Sequence, residues 1–395
     1  MTDFTSTRKA FHLPEGIIYL DGNSLGPMPV AAAEKVAAMM RDEWAQMLIT
    51  GWNKAGWYQQ PRRVGDRLAR LIGARQGEVV MGDTLTIKVF QAISAALRLN
   101  PGRRVILSDS GNFPSDLYTA EGLAQATGAT LRVVTPDEVE AAIDDSLAVL
   151  MLTEVDYRTG RRHDMAALTA RAHAAGALTV WDLAHSAGAV DVDLHAADAD
   201  FAVGCTYKYL NGGPGAPAFI WTHPRHAKAA APILQGWMGH DAPFAFEPAY
   251  RPAGGIERMR VGTPPVIALA ALEAALDVWD GVEMADLRAA SIALSQRFIA
   301  GVEASCPGLI LNSPRDPAQR GSQVGFRHPQ AYAVMQALIA QGVIGDFRAP
   351  DVLRFGFAPL YNSAEDVDQA VQILARILQT GSWDRPHFHE KAAVT

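Results

Sequence analysis

The feature that most constrains this chain is an alternation of short, near-continuous apolar runs with stretches of helical periodicity. The runs are Arg104-Val105-Ile106-Leu107, Leu131-Arg132-Val133-Val134, Leu147 to Leu152, Leu178-Thr179-Val180-Trp181 and Phe201-Ala202-Val203. Strands that are apolar on both faces belong in a parallel sheet covered by helices on each side. Between two of them Met165 to Ala175 reads as a helix with Asp164 as its N-cap, and another helix runs from about Ile87 to Leu99. This order predicts βαβ units and a doubly wound α/β large domain with a mostly parallel sheet over residues 51–265.

Length sets the rest of the division. A single core rarely grows past ~250–300 residues, and this chain has 395, of which 49% are apolar. A smaller α+β C-terminal domain is therefore expected over 266–380. A long helical stretch from Val266 to about Ala300 leads into it after Pro264-Pro265, and a final helix capped by Ser363-Ala364-Glu365-Asp366 runs to Leu378. Residues 1–50 form an N-terminal segment packing on both domains, and 381–395 a loosely held tail.

The formal charge of −7 is spread along the chain without a basic block, which excludes a nucleic-acid or anionic-membrane partner. No apolar run reaches the ~18–20 residues of a membrane span, and the opening MTDFTSTRKAFHLPEG lacks the apolar stretch of a signal peptide. Two cysteines, Cys205 and Cys306, make no disulfide framework and offer no metal-ligand spacing. The expectation is a soluble cytoplasmic protein without a metal.

Five segments carry chemistry. The run ending Trp181-Asp182 places a carboxylate at a strand end, where ligands of parallel sheets sit, with His185 three residues on. Such a carboxylate could hold a pyridine nitrogen protonated; it also reads as an ordinary strand-end Asp with a loop His. Of seven lysines, Lys208 alone follows an apolar strand and precedes a glycine-rich turn, Gly212-Gly213-Pro214-Gly215. A partly desolvated lysine near positive charge is a competent amine nucleophile, and a buried structural lysine would need a partner that the local sequence does not offer.

Gly82-Asp83-Thr84-Leu85-Thr86 ahead of a helix makes a phosphate seat, though Thr is also a common cap. In Asn112-Phe113-Pro114-Ser115-Asp116 the aromatic could stack on a ring or be a core Phe beside a turn. Arg354, on the apolar strand Leu353-Arg354-Phe355, is costly to bury unless it binds an anion such as a substrate carboxylate, with Arg348 as the rival candidate.

Together these segments resemble kynureninase, a fold-type-I, aminotransferase-like family of pyridoxal 5′-phosphate (PLP) hydrolases. The resemblance rests on Tyr19-Leu20-Asp21-Gly22-Asn23-Ser24-Leu25-Gly26, Phe113-Pro114-Ser115-Asp116, Asp182-Leu183-Ala184-His185, Thr206-Tyr207-Lys208-Tyr209, Gly236-Trp237-Met238-Gly239-His240 and Pro359-Leu360-Tyr361-Asn362. The Asp-to-Lys frame is shared by all related PLP enzymes; the conjunction with the other segments is narrower.

The resemblance implies cleavage of the Cβ–Cγ bond of L-kynurenine, or of 3-hydroxykynurenine, to anthranilate or 3-hydroxyanthranilate and L-alanine. It implies Lys208 as the Schiff-base lysine and base, and Tyr207 as a phosphate contact and proton carrier. Asp182 would pair with the pyridine nitrogen with His185 close by, and Phe113 would stack on the ring. Pro114, Ser115, Asp116 and Thr153 would add further contacts, and Leu85 and Thr86 would hold the phosphate. Trp237 and Thr263 would come from the partner subunit of a homodimer, and Arg354 would bind the substrate carboxylate. Thr263 leans towards the unhydroxylated substrate. Trp52 and Trp57 would either wall the aryl pocket or pack at an interface. The rival readings are an aminotransferase, a cysteine desulfurase and a catalytically silent binding protein. A desulfurase needs a thiolate on a mobile loop, a place neither cysteine occupies. The silent reading sits poorly with the presence of both Lys208 and Asp182.

Overall fold

The structure, a computed structural model, describes residues 2–392. Its strands along the chain are β1 (Ile18–Tyr19), β2 (Val79–Met81), β3 (Val105–Asp109), β4 (Thr130–Val134), β5 (Leu147–Thr153), β6 (Leu178–Asp182), β7 (Phe201–Gly204), β8 (Phe219–Thr222), β9 (Ile310–Leu311), β10 (Gln323–Arg327), β11 (Val343–Ile344), β12 (Asp346–Arg348) and β13 (Val352–Gly356). The helices of nine residues or more are α1 (Val30–Ala38), α2 (Gln60–Ala69), α3 (Leu85–Leu99), α4 (Pro114–Thr127), α5 (Met165–Ala174), α6 (Val266–Ala275), α7 (Met284–Ser305), α8 (Ala331–Ile339) and α9 (Ala364–Thr380).

The central sheet has the order β2-β8-β7-β6-β5-β3-β4. Strands β3 to β7 are parallel, and β8 runs against both of its neighbours. All seven residues of β5 are buried, because helices cover both faces. On one face Val89, Ala92, Ile93 and Ala96 of α3 pack with Ala120, Leu123 and Ala124 of α4. On the other lie Val64 and Leu68 of α2 and Met165 and Leu168 of α5. Each fully buried Val, Leu or Ile contributes about 1.5–3 kcal/mol of transfer free energy, so the sheet is the stable platform of the molecule. Asp164 caps α5 as expected, accepting from the Ala167 amide.

A second core forms around the antiparallel sheet β12-β13-β10-β9 with α7, α8 and α9. Ser363 and Asp366 make the reciprocal cap of α9. The N-terminal chain joins this region: β1 pairs in parallel with β11, Ile18 opposite Val343.

Two expectations are corrected. The helical stretch from Val266 breaks after α6, passes through a 3-10 turn at Leu276–Trp279, and restarts as α7. Gly281 supplies the break with φ +79°, a conformation open to glycine at little cost. Leu269, Leu272, Leu276 and Trp279 then pack with the large core, not the small one. The tail is also less loose than expected. Trp383 and Phe388 pack on the small core, and Tyr332 Oη donates to the Glu390 carbonyl at 3.0 Å; residues 393–395 lie outside those described.

Candidate active site

The parallel strands end together. Thr153, the last residue of β5, stands opposite Asp182, the last of β6, and Asp182 stands opposite Val203 of β7. The carboxyl end of a parallel sheet is open because the chain must leave it for a crossover. Here that opening is a cavity of about 300 Å³ lined by Thr84, Leu85, Thr86, Phe113, Ser115, Thr153, Tyr157, Asp182, Ala184, His185, Cys205, Tyr207, Lys208, Gly215 and Ala216. Nine residues expected from sequence meet in it: Leu85, Thr86, Phe113, Ser115, Thr153, Asp182, His185, Tyr207 and Lys208.

Lys208 leaves β7 four residues earlier and turns its Nζ to within 3.0 Å of His185 Nε2. The same nitrogen lies 6.0 Å from the Phe113 ring centroid and 5.8 Å from that of Tyr207. Burial, then the positive charge of Lys208, hold the His185 imidazole well below its ordinary value, so it is neutral at pH 7. Asp182 accepts from the Ala184 amide at 2.8 Å. Burial pushes its carboxyl up, and the Lys208 charge opposes that rise. Asp116 lies behind the wall, in the first turn of α4; burial and the charge of Asp182 push it well above the carboxylate range. Of the two acids, Asp116 holds the proton and Asp182 takes the negative charge beside Lys208. Cys205 beside it, and then burial, raise the Tyr207 phenol, so it stays protonated.

At the opposite wall α3 begins. Thr84 is its cap in extended backbone and makes no side-chain bond to the helix. The first-turn amides have no acceptor within the helix and meet the cavity where an anion is favoured. Phe113 caps α4 and is 44% exposed, held edge-on to Tyr157 at 5.2 Å between centroids. Pro114 opens α4 at its first position but does not line the cavity.

Three further expected residues are not in the cavity. Trp237 is exposed and packs against Phe244 and Phe246, and Thr263 is exposed. Arg354 is fully buried one layer behind the wall. It is paired with Asp346, its register partner across β12 and β13, and its Nη1 donates to the carbonyl of Tyr157. Arg348 also pairs with Asp346, at 2.8 Å. Trp57 is buried beside Met39 and Ala270 with Trp52 against it, away from the cavity.

Sequence reasoning missed Tyr157 and gave Cys205 no place in the site. Both lie just past strand ends, Tyr157 after β5 and Cys205 after β7, which is the signal that would have found them. Lys88, one of the six lysines that the sequence does not single out, lies in α3. Lys88 is fully buried, bonded to Asp83 (3.1 Å), Gln91 (3.0 Å) and the Met259 carbonyl (2.8 Å).

A family model described as the kynureninase C-terminal domain matches residues 287–374. The chain is 53% identical to the kynureninase of Pseudomonas fluorescens over 397 aligned residues, which cover 98% of this chain and 95% of that protein. It is 52% identical, with the same coverage, to the kynureninase of Burkholderia pseudomallei strain 1106a. In fold it is similar to the cysteine desulfurase CsdA of Escherichia coli, with a TM-score of 0.80 over 96% of this chain and 99% of that one at 21% identity. That likeness carries the architecture alone, and the expected aminotransferase-like α/β fold is borne out by it.

Proposed function

The chain belongs to the kynureninase family, a PLP-dependent hydrolase of kynurenine, and we propose that it does this chemistry in the cavity at the ends of β5, β6 and β7. The reaction adds water across the Cβ–Cγ bond of L-kynurenine and releases anthranilate and L-alanine. The observation that carries the reading is that the Lys208 amine and the Asp182 carboxylate open into one cavity of about 300 Å³.

The residues present fit the cofactor. Asp116 is buried against Asp182, and among the described residues no amide, hydroxyl or basic group donates to either of its oxygens; the α3 amides lack acceptors of their own. Leu85 and Thr86 would hold the phosphate, Asp182 the pyridine nitrogen with Asp116 and His185 around it, and Phe113 the ring face. Thr153, with Pro114 and Ser115 in the turn that opens α4, would complete the seat. Bound there, PLP supplies an electron sink for the pair released as a bond to the amino acid breaks.

The chain's own residues do the rest. Lys208 would hold the aldehyde carbon of the cofactor and carry the proton taken from Cα. Tyr207, protonated at neutral pH, would donate a hydrogen bond to the phosphate or a proton to Cβ, the carbon that stays with alanine. Asp182 keeps the ring nitrogen charged. Arg354, which reaches the wall through the Tyr157 carbonyl, would pair with the α-carboxylate of the amino acid.

We also read the protein as a homodimer that shares its sites. Trp237, Phe244 and Phe246 form an exposed aromatic patch, the last two 56% and 76% exposed. A patch of that kind fits an interface with a second copy, and Trp237 and Thr263 would reach the partner's cavity from there. A division into a large and a small domain is supported by the two cores, with the boundary beyond Trp279 and not at 265, since Leu269, Leu272, Leu276 and Trp279 join the large core. Among the described residues no helix is long and apolar enough to cross a membrane, and Cys205 and Cys306 are free thiols, as a reducing cytoplasm would keep them.

The test is direct. Purified protein with PLP and L-kynurenine should develop anthranilate fluorescence, and Lys208→Ala should not. Well-loaded enzyme that transfers the amino group to a keto acid and yields no anthranilate would point to an aminotransferase instead.

A further inference from the structure

The segment Asp21-Gly22-Asn23-Ser24-Leu25-Gly26 does not line the cavity, yet it is tied down at both ends. At one end the Gly26 amide donates to the Tyr207 carbonyl at 2.8 Å, and a Cβ on Gly26 would meet the Lys208 carbonyl oxygen at 2.4 Å. At the other, Ser24 Oγ accepts from Arg354 at 2.8 Å and from Arg348 at 3.3 Å while donating to Asp346. One hydroxyl thus has its proton and both lone pairs engaged.

The charges around it do not cancel. Arg348 and Arg354 bring two positive charges. Burial pushes the Asp346 carboxyl up, but the two arginines and Ser24 outweigh it, so Asp346 is ionised. Asp21 is pushed up to about 8 by burial and by the charge of Asp346, and is mostly neutral at pH 7. The cluster is left with one positive charge in excess, buried one residue behind Tyr157, which lines the cavity. A buried charge without a counter-ion is costly, and an incoming carboxylate removes that cost.

We infer that Ser24 and Asp346 are positioning residues for the substrate α-carboxylate, bonded to both Arg354 and Arg348 and holding the two guanidinium groups together as the clamp for that anion. This rests on the function proposed above, which makes an amino acid the ligand and Arg354 its anchor.

The test uses holoenzyme. In Ser24→Ala the KM for L-kynurenine should rise about ten-fold, the worth of one hydrogen bond to a charged group. The kcat should stay within about threefold, as for an interaction made equally in ground and transition states. Ser24→Thr, which keeps the hydroxyl, should restore KM. Binding of L-alanine, read from the visible spectrum of the bound cofactor without turnover, should weaken by the same factor in Ser24→Ala and recover in Ser24→Thr. Unchanged KM and alanine affinity in Ser24→Ala overturn the inference, as does a fall in kcat with KM unmoved. A wild-type enzyme that makes no anthranilate would bring down the functional reading and this inference together; one that makes it confines a failure to the inference.

Discussion

Lys208 Nζ stands 3.0 Å from His185 Nε2, so the amine of the cavity faces an imidazole and not a carboxylate. Burial and the neighbouring cations keep that imidazole neutral. A neutral imidazole accepts a hydrogen bond from an ammonium while adding no charge to the pocket. The negative charge that balances Lys208 therefore comes from Asp182.

Because His185 stays neutral across the physiological range, its loss should change the rate without moving the acid limb of the pH profile. In His185→Asn, kcat/KM measured from pH 5 to 8 should fall uniformly. An acid limb displaced to a new pH would mean that His185 titrates in the working enzyme.

Asp182→Asn removes the charge expected to hold the ring nitrogen protonated. Losing a preorganised electrostatic partner of this kind costs roughly 10²–10³ in kcat, and PLP content, read from absorbance after alkaline release, should stay near wild type. A variant with undiminished kcat would remove Asp182 from that role.

Tyr207→Phe should lower kcat by about 10²–10⁴, the range for a positioned acid–base group. Anthranilate release in stopped flow measures it. A change confined to PLP affinity would assign Tyr207 to phosphate binding alone.

Away from the cavity, His173 donates to Asp200, which also receives His226 and Arg225. The Asp200 bond holds the His173 imidazole above its ordinary 6.5. A raised histidine contributes stability that is fully present below 6.5 and is lost as pH climbs through the folded-state value. Thermal unfolding from pH 6 to 9 should therefore show wild type losing more Tm than His173→Gln; parallel curves would contradict the linkage.

Lys88 is buried and bonded to Asp83. Removing one partner of such a pair leaves a charge uncompensated, at a cost of about 3 kcal/mol. Asp83→Ala should thus lower stability by that order in urea unfolding, and the double variant Asp83→Ala with Lys88→Met should recover much of it. No recovery would show that the cost lies in the strained turn at Asp83, where φ is +58°.

What could be read from the sequence was whatever depends on neighbours along the chain. Five apolar runs became β3 to β7, Asp182 fell at the end of β6 and Lys208 in the turn after β7, and Asp164 and Ser363 capped their helices, because burial pattern, turn chemistry and capping act over a few residues. Local signals brought out the segments around Leu85, Phe113, Asp182 and Lys208, while Thr153 and Tyr207 came with the family resemblance; nine of the expected residues share one cavity.

Tertiary structure alone decided the rest. Asp346 and Arg354 meet only because β12 and β13 pair in one register, so no spacing could tell that the buried arginine already has an anion. Lys88 sits in a helical pattern like any surface lysine, and its burial depends on a carbonyl from Met259, 171 residues away. Contacts of that kind are set by how separate elements pack, and a code read residue by residue carries propensity and pattern without the distances that packing imposes.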